Sequence, residues 1–474
     1  MLRNLLTLAM SVATPATVVA AADPALTIYR SDSDALFDSG NHPVADGHAV
    51  VHERRALQLE GGAQTVIISG LPSLLDAEAV AVELGGTARV LGQRVMTAGD
   101  SLLSAQRGTR VQVLAADGRS IADGELVSID AGGLGVRGGD GRIAYVRDYA
   151  RVEFPAGAGL PGSSLHLALD GKPGASNAAL TYPTSGLGWR AGYAAVLQSD
   201  DACRMRLEAR ASIANRSGRS YEGASLKLVA GAPNFAGYDR GPRMMAMKSA
   251  AAPAPESLPE QSSLGDYRSY AIDGRLDLPD ASVTQVPLHA SRELDCERRW
   301  LFESGGAWFP PKPMLAPDHS PPSSGPVQSQ LGFTATDNLP AGMLRVLVRD
   351  RDGRSELLGE SRLGDTAKGR KVDVTLGLAF ELSATRERTS FDVDRAAREL
   401  REGFRITLSN SGDSARTVTV REHPNRWRAW TLASSSQPPA KQSPDLLEFS
   451  VAVPAGREAT LEYVVRYAWT PSDE

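Results

Sequence analysis

Alternation of apolar and polar side chains is the strongest constraint in this sequence. In RMRLEARASIAN (204–215), Met205, Leu207, Ala209, Ala211 and Ile213 share one face, and Arg204, Arg206, Glu208, Arg210 and Ser212 share the other. A period of two sustained this long describes an antiparallel strand with one wet side. FRITLSN repeats the rule with Phe404, Ile406 and Leu408, and ATLEYVVRY with Leu461, Tyr463, Val465 and Tyr467. GMLRVLVRDRDGRSELLGE reads as a hairpin that turns at Asp352-Gly353. The best helical candidate is DVDRAARELREGF (392–404), whose charge density argues against it. The chain is therefore expected to be all-β.

The stretch LTYPTSGLGWRAGYAAVL (180–197) tests that reading, because it gathers aromatics, glycines and a proline. Ser185-Gly186 and Gly188 allow a tight reversal. Beyond it, Trp189, Ala191, Tyr193, Ala195 and Leu197 keep strand parity. A ligand loop has no reason to keep parity, so these aromatics are expected in a core, at a sheet corner.

The same logic divides the chain. Residues 1–22 read as a bacterial-type secretory signal peptide: Arg3, a weakly apolar core, then Ala20-Ala21-Ala22 for cleavage. Short strands separated by Gly and Pro fill an N-terminal β region, 23–100. Four or five short strands over 101–154 suit a small SH3-like or Sm-like barrel. Two β-sandwich-like domains are expected at 163–300 and 327–470. SIANRSGRS and LSNSGDSAR share a local pattern, an Asn ending a strand before a Gly-containing corner (Asn215 and Gly218, Asn410 and Gly412). Residues 237–265 are expected to form a mobile insert, and 310–328 a mobile Pro-rich loop.

Charge and cysteine usage narrow the function. Loss of residues 1–22 would leave 50 basic against 56 acidic residues, a net charge of −6. That balance disfavours phosphate-backbone binding, so no nucleic-acid partner is expected. No later stretch approaches the ~20 apolar residues of a membrane-spanning helix. The two cysteines, Cys203 and Cys296, are expected to pair as a disulfide in an oxidising compartment.

A search for reaction chemistry yields little. His48 and His52 have a metal-binding spacing, but HAVVHE reads as a strand rather than the helix a zinc protease uses. The sequence holds no G-x-S-x-G, S-x-x-K or G-x-x-x-x-G-K-[ST] motif. Asp350, Asp352 and Glu356 lack the spacing of a calcium loop. Met244, Met245 and Met247 read as a linker rather than a copper site. No catalytic residue, metal or cofactor is expected. Of four clustered aromatics, Trp300 and Phe302 are expected in the core. Trp308 and Phe309, just before Pro310-Pro311, are the candidates for ligand contact at the surface.

TYPTSGLGWRAGY, RLEARASIANRSG, LKLVAGAPN, NLPAGMLRVLVRDRDG, LLGESRLGDTAKGRKVDVTLGLAFEL and EFSVAVPAGREATLEYVV follow one another in an order that resembles the exported bacterial proteins of domain of unknown function family 4139. VVHERRALQLEGG and IISGLPSLLDAEAVAVEL resemble the amino-terminal part of that group. The carboxy-terminal half is similar to mucoidy-inhibitor A proteins, without their coiled-coil insertion. The resemblance implies an exported protein, periplasmic or secreted, and carries over no catalytic residues. The expected role is binding or scaffolding without catalysis, toward an envelope protein, or toward a cell-wall or capsule glycan through exposed aromatics. An enzyme with an unrecognised site is the remaining alternative.

Overall fold

A computed structural model describes residues 22–38, 40, 42–86, 88–97, 103, 107–154, 162–198, 203–231, 233, 261–264, 267–306, 308–319, 323–349 and 352–473. Residues 1–21 of the expected signal peptide, Met244, Met245, Met247, Asp350 and most of the expected insert 237–265 lie outside the described residues. Nearly every described element is a strand, and the one α-helix described along its full length is the four-residue Asp34–Phe37. Among the described residues, no helix is long and apolar enough to cross a membrane.

The chain divides into two compact units. The first holds residues 1–191 and 210–289, and the second holds 192–209 and 290–474. Residues 23–100, expected as a region of their own, instead supply strands to a seven-stranded sheet in the first unit. Its order is Gln261–Leu264, Tyr267–Leu278, Tyr221–Ala230, Ala22–Tyr29, Ala49–Leu59, Gly174–Thr184, Ala81–Leu84. Part of the expected mobile insert is thus its edge strand, Gln261–Leu264. A three-stranded sheet joins Gly62–Leu71, Ser163–Gly171 and Arg89–Met96.

The small barrel expected at 101–154 is an open five-stranded sheet. Its last strand, Arg151–Glu153, returns to pair with its first, Arg110–Leu114. Ser120–Asp130, Gly133–Arg137 and Ile143–Val146 follow in chain order. Val111, Val113, Leu126, Leu134, Val136 and Val146 form its core.

Parity holds at the corner of 180–197. Tyr182, Trp189, Ala191, Tyr193, Ala195 and Leu197 are all buried. The Trp189 indole donates to the Val229 carbonyl at 3.0 Å. Gly186 has φ +82°, and a Cβ there would lie 2.7 Å from the Arg216 carbonyl oxygen, so the reversal requires glycine.

The second unit is built on one large apolar core. Phe302, Leu382, Leu400, Phe404, Ile406, Leu408, Val418, Val420, Phe449, Val451, Leu461, Tyr463 and Val465 belong to it. The 392–404 helix candidate is the tip of a hairpin here. Lys371–Asp394 pairs antiparallel with Glu399–Asn410, from Asp394 opposite Glu399 back to Leu382 opposite Asn410. Asp394 caps the turn by accepting from the Ala397 amide at 2.8 Å. The described part of the Pro-rich stretch, expected to be mobile, is tied down. Buried Arg426 donates to the carbonyls of Met314 and Ala316 at 2.9 and 2.7 Å. Arg388 donates to Pro317, and residues from Ser323 onward form the strand Ser323–Thr334.

Buried charge is paired in clusters. In the first unit, Glu53 accepts from Arg55 at 3.0 Å, from Arg219 at 2.6 Å and from the Tyr182 hydroxyl at 3.1 Å. Burial alone would raise the Glu53 pKa, but the hydrogen bond and charge of Arg219, helped by Arg55, hold it below the usual carboxylate range. A carboxyl with a lowered folded pKa stabilises at pH above its unfolded value and loses that contribution as pH falls through the folded one. Glu53→Gln should therefore cost about 3–5 kcal/mol at neutral pH by leaving Arg219 buried without its counter-ion. In urea unfolding followed by tryptophan fluorescence, the gap between the two proteins should narrow as pH drops below about 4.3. A gap that is constant or widens toward acid would contradict this assignment.

Candidate functional site

The strand Ser282–Ser304 contributes its final third to the second unit's core, and its parity there is graded. Phe302 is buried, Trp300 is half-buried against the same core, and Arg298 is exposed. These three share one face. Antiparallel pairing sets Trp300 opposite Ser329, and parallel pairing on the other side sets it beside Val418 of Arg416–Glu422. Arg416, two residues before Val418, leaves its strand on the same face as Val418.

Two guanidiniums therefore meet at one indole. Arg416 Cζ lies 4.7 Å and Arg298 Cζ 5.8 Å from the centre of the Trp300 ring. Among the described residues, neither arginine makes an ion pair with a carboxylate. Desolvation, and then the positive charge of Arg416, lowers the Arg298 pKa from its usual value.

The opposite wall comes from Lys371–Asp394, through a break in its register with Ser323–Thr334. Leu378 faces Gln328 and Ser383 faces Pro326, so residues 379–382 stand opposite Val327 alone. Bulges of this kind re-aim side chains beside functional sites. Leu376 and Leu382 stay buried, but Leu378 is 65% and Phe380 103% exposed. Ser355–Leu363 closes the third side. It approaches closely because a Cβ on Gly359 would lie 2.2 Å from the Leu376 carbonyl oxygen. The result is a cleft of about 300 Å³ lined by Arg298, Trp300, Leu358, Leu378, Phe380 and Arg416, with Glu381 also in the lining.

The residues singled out in the sequence fall elsewhere, with Trp300 the exception. Cys203 and Cys296 are bonded, with an S–S distance of 1.97 Å, and the Cys296 amide donates to the Cys203 carbonyl at 2.8 Å. A crosslink over 93 residues stabilises by about 4–5 kcal/mol on the loop-entropy account. Trp308 is 53% exposed and Phe309 half-buried, and neither lines the cleft. His52 pairs with the Thr181 hydroxyl at 2.9 Å, and the His48 ring lies 5.5 Å from the Tyr29 ring. Asp352-Gly353 forms the hairpin turn, with Gly353 at φ +79° and Glu356 exposed.

Sequence reasoning does not find this cleft, because TLGLAFELSA alternates without a break while the exposure of Leu376, Leu378, Phe380 and Leu382 does not. Gly377, a residue that weakens strands, was the one local signal of a break.

Residues 178–471 match the family described as Domain of unknown function (DUF4139). The chain belongs to this family. No curated protein matches it. The disulfide, the corner at Gly186 and the whole DUF4139 cleft lie inside the matched span.

Gly359→Ala should push Ser355–Leu363 away from the cleft wall. In hydrogen exchange, the amides of 375–378, which pair with Ser323–Thr334, should exchange at least about tenfold faster in this variant, a loss of roughly 1.4 kcal/mol of local protection. Unchanged exchange there would show that the close approach does not shape the wall.

Proposed function

We propose that this protein is an exported envelope or extracellular binding protein, acting without catalysis, that engages an anionic ligand through the cleft of its second unit. The single observation behind the reading is the pair Arg298 and Arg416, which meet at Trp300 without a carboxylate partner among the described residues. Two like charges placed together cost stability unless an anion joins them. The lining beside them is apolar, with Leu358, Leu378 and the open ring of Phe380. Charge next to apolar surface is the usual chemistry of a small-ligand cleft. Export is supported by the leader-like residues 1–22 and by the Cys203–Cys296 bond, which suits an oxidising compartment.

The simplest probe joins the two features: 4-phenylbutyrate, titrated by calorimetry against its neutral analogue 4-phenylbutanol. The anion should bind and weaken with added salt. Substituting Arg298→Gln and Arg416→Gln together should reduce its affinity by roughly tenfold or more, as expected for lost charge-assisted contacts. Equal binding of the alcohol, an unaffected double variant, or no binding of the anion would overturn the reading.

A further inference from the structure

We infer that the cleft takes the carboxyl-terminal residue of a polypeptide partner, an inference that rests on the anion-binding role proposed above. The two arginines line one cleft of about 300 Å³ together with Leu358, Leu378 and Phe380, so the ligand must carry its negative charge next to its apolar group. A chain terminus meets that demand, because the carboxylate and the last side chain share one Cα. An internal Asp or Glu holds its charge at the end of the side chain that would have to fill the recess.

The polar inventory of the lining favours a peptide over a sugar. Besides the two arginines, the polar side chains are those of Ser329 and Glu381. A uronic acid ring brings several hydroxyls into such a site, and each loses water without gaining a partner. The Trp300 ring is already engaged by Arg416 at 4.7 Å and Arg298 at 5.8 Å, which competes with the sugar stacking that an aromatic floor would otherwise offer.

Backbone near the recess supplies the remaining contact. Pairing with Ser323–Thr334 stops at Leu378 and resumes at Ser383, while pairing with Glu399–Asn410 begins at Leu382. Residues 379–381 thus belong to neither register, and since the Glu381 carbonyl accepts from the Ser411 amide at 2.9 Å, residues 379 and 380 are the ones to consider. Their peptide groups can bond the backbone of the residues that precede the partner's terminus, as in strand addition and carboxylate capture. Glu381 at the same bulge disfavours a second acid next to the terminal one.

The test is a random heptapeptide array synthesised with free carboxyl termini and probed with the full protein. Selected peptides should end in a large aliphatic or aromatic residue and avoid Asp or Glu just before it. Amidating the terminus should cost about tenfold or more in affinity, measured by fluorescence anisotropy. Leu378→Ser with Phe380→Ser, two exposed positions, should remove the preference for an apolar last residue while leaving the unfolding transition unchanged. Equal binding of acid and amide forms would overturn the inference. So would preference for an oligouronate over every peptide. If 4-phenylbutyrate still binds in either case, the anion-binding reading stands without this one. If no anion binds at all, both fall.

Discussion

Successive side chains of a strand leave on opposite faces, and the second unit depends on how one strand uses that rule. On one face of Ser282–Ser304, Phe302 is sealed in the core, Trp300 lies at the core's margin and Arg298 reaches solvent. The lateral neighbours add Arg416 from one side and Ser329 from the other. The cleft is therefore the place where an apolar interior opens at the end of its own strands. Its charge and its aromatic surface arise from the same alternation that builds the core.

Both units solve the burial of polar groups in the same way. At the corner after 204–215, the Asn215 amide donates to the carbonyls of Arg219 and Leu278 at 2.7 and 2.9 Å and accepts from the Ser217 amide at 3.2 Å. At the corner after Glu399–Asn410, Asn410 donates to Ser414 and Val453 at 2.9 and 3.2 Å and accepts from the Gly412 amide at 3.0 Å. Carboxylates follow a common plan too. Glu53 meets Arg219 and Tyr182, Glu422 meets Arg386 and Tyr463, and Glu402 meets Arg426 and Tyr467. Such groups add little net stability over an apolar core, and each fixes strand register by requiring its partners in place. Arg298 and Arg416 depart from this plan, having no carboxylate partner among the described residues.

Much of the fold was legible as periodicity. The strand 204–215, the hairpin around Asp352-Gly353 and the corner at Gly186 follow from local residue patterns, and the Cys203–Cys296 pair from a count of two cysteines in an oxidising compartment. The N-terminal strands did not reveal their partners, because pairing across more than a hundred residues leaves no local trace. Ala25 opposite Ser225 is such a case. The segment 392–404 carried a helical composition, which the register of Leu400 and Phe404 in a two-sided sheet overrode. The cleft was the least legible feature. A bulge changes which residues are exposed without changing the sequence's period, so Phe380 stands fully exposed in a segment that still alternates.

An anion site kept ready has an energetic signature in the empty protein. Arg298 lies farther from the Trp300 ring than Arg416 does, so its removal sacrifices the weaker cation–π contact and relieves like-charge repulsion. The most direct measurement is urea unfolding of Arg298→Gln against the parent protein, at low and high salt and without ligand. A cleft reserved for an anion predicts a variant at least as stable as the parent, with its advantage fading as salt screens the pair. A variant less stable by about 1 kcal/mol or more at both salt concentrations would contradict it, showing that Arg298 serves the fold instead.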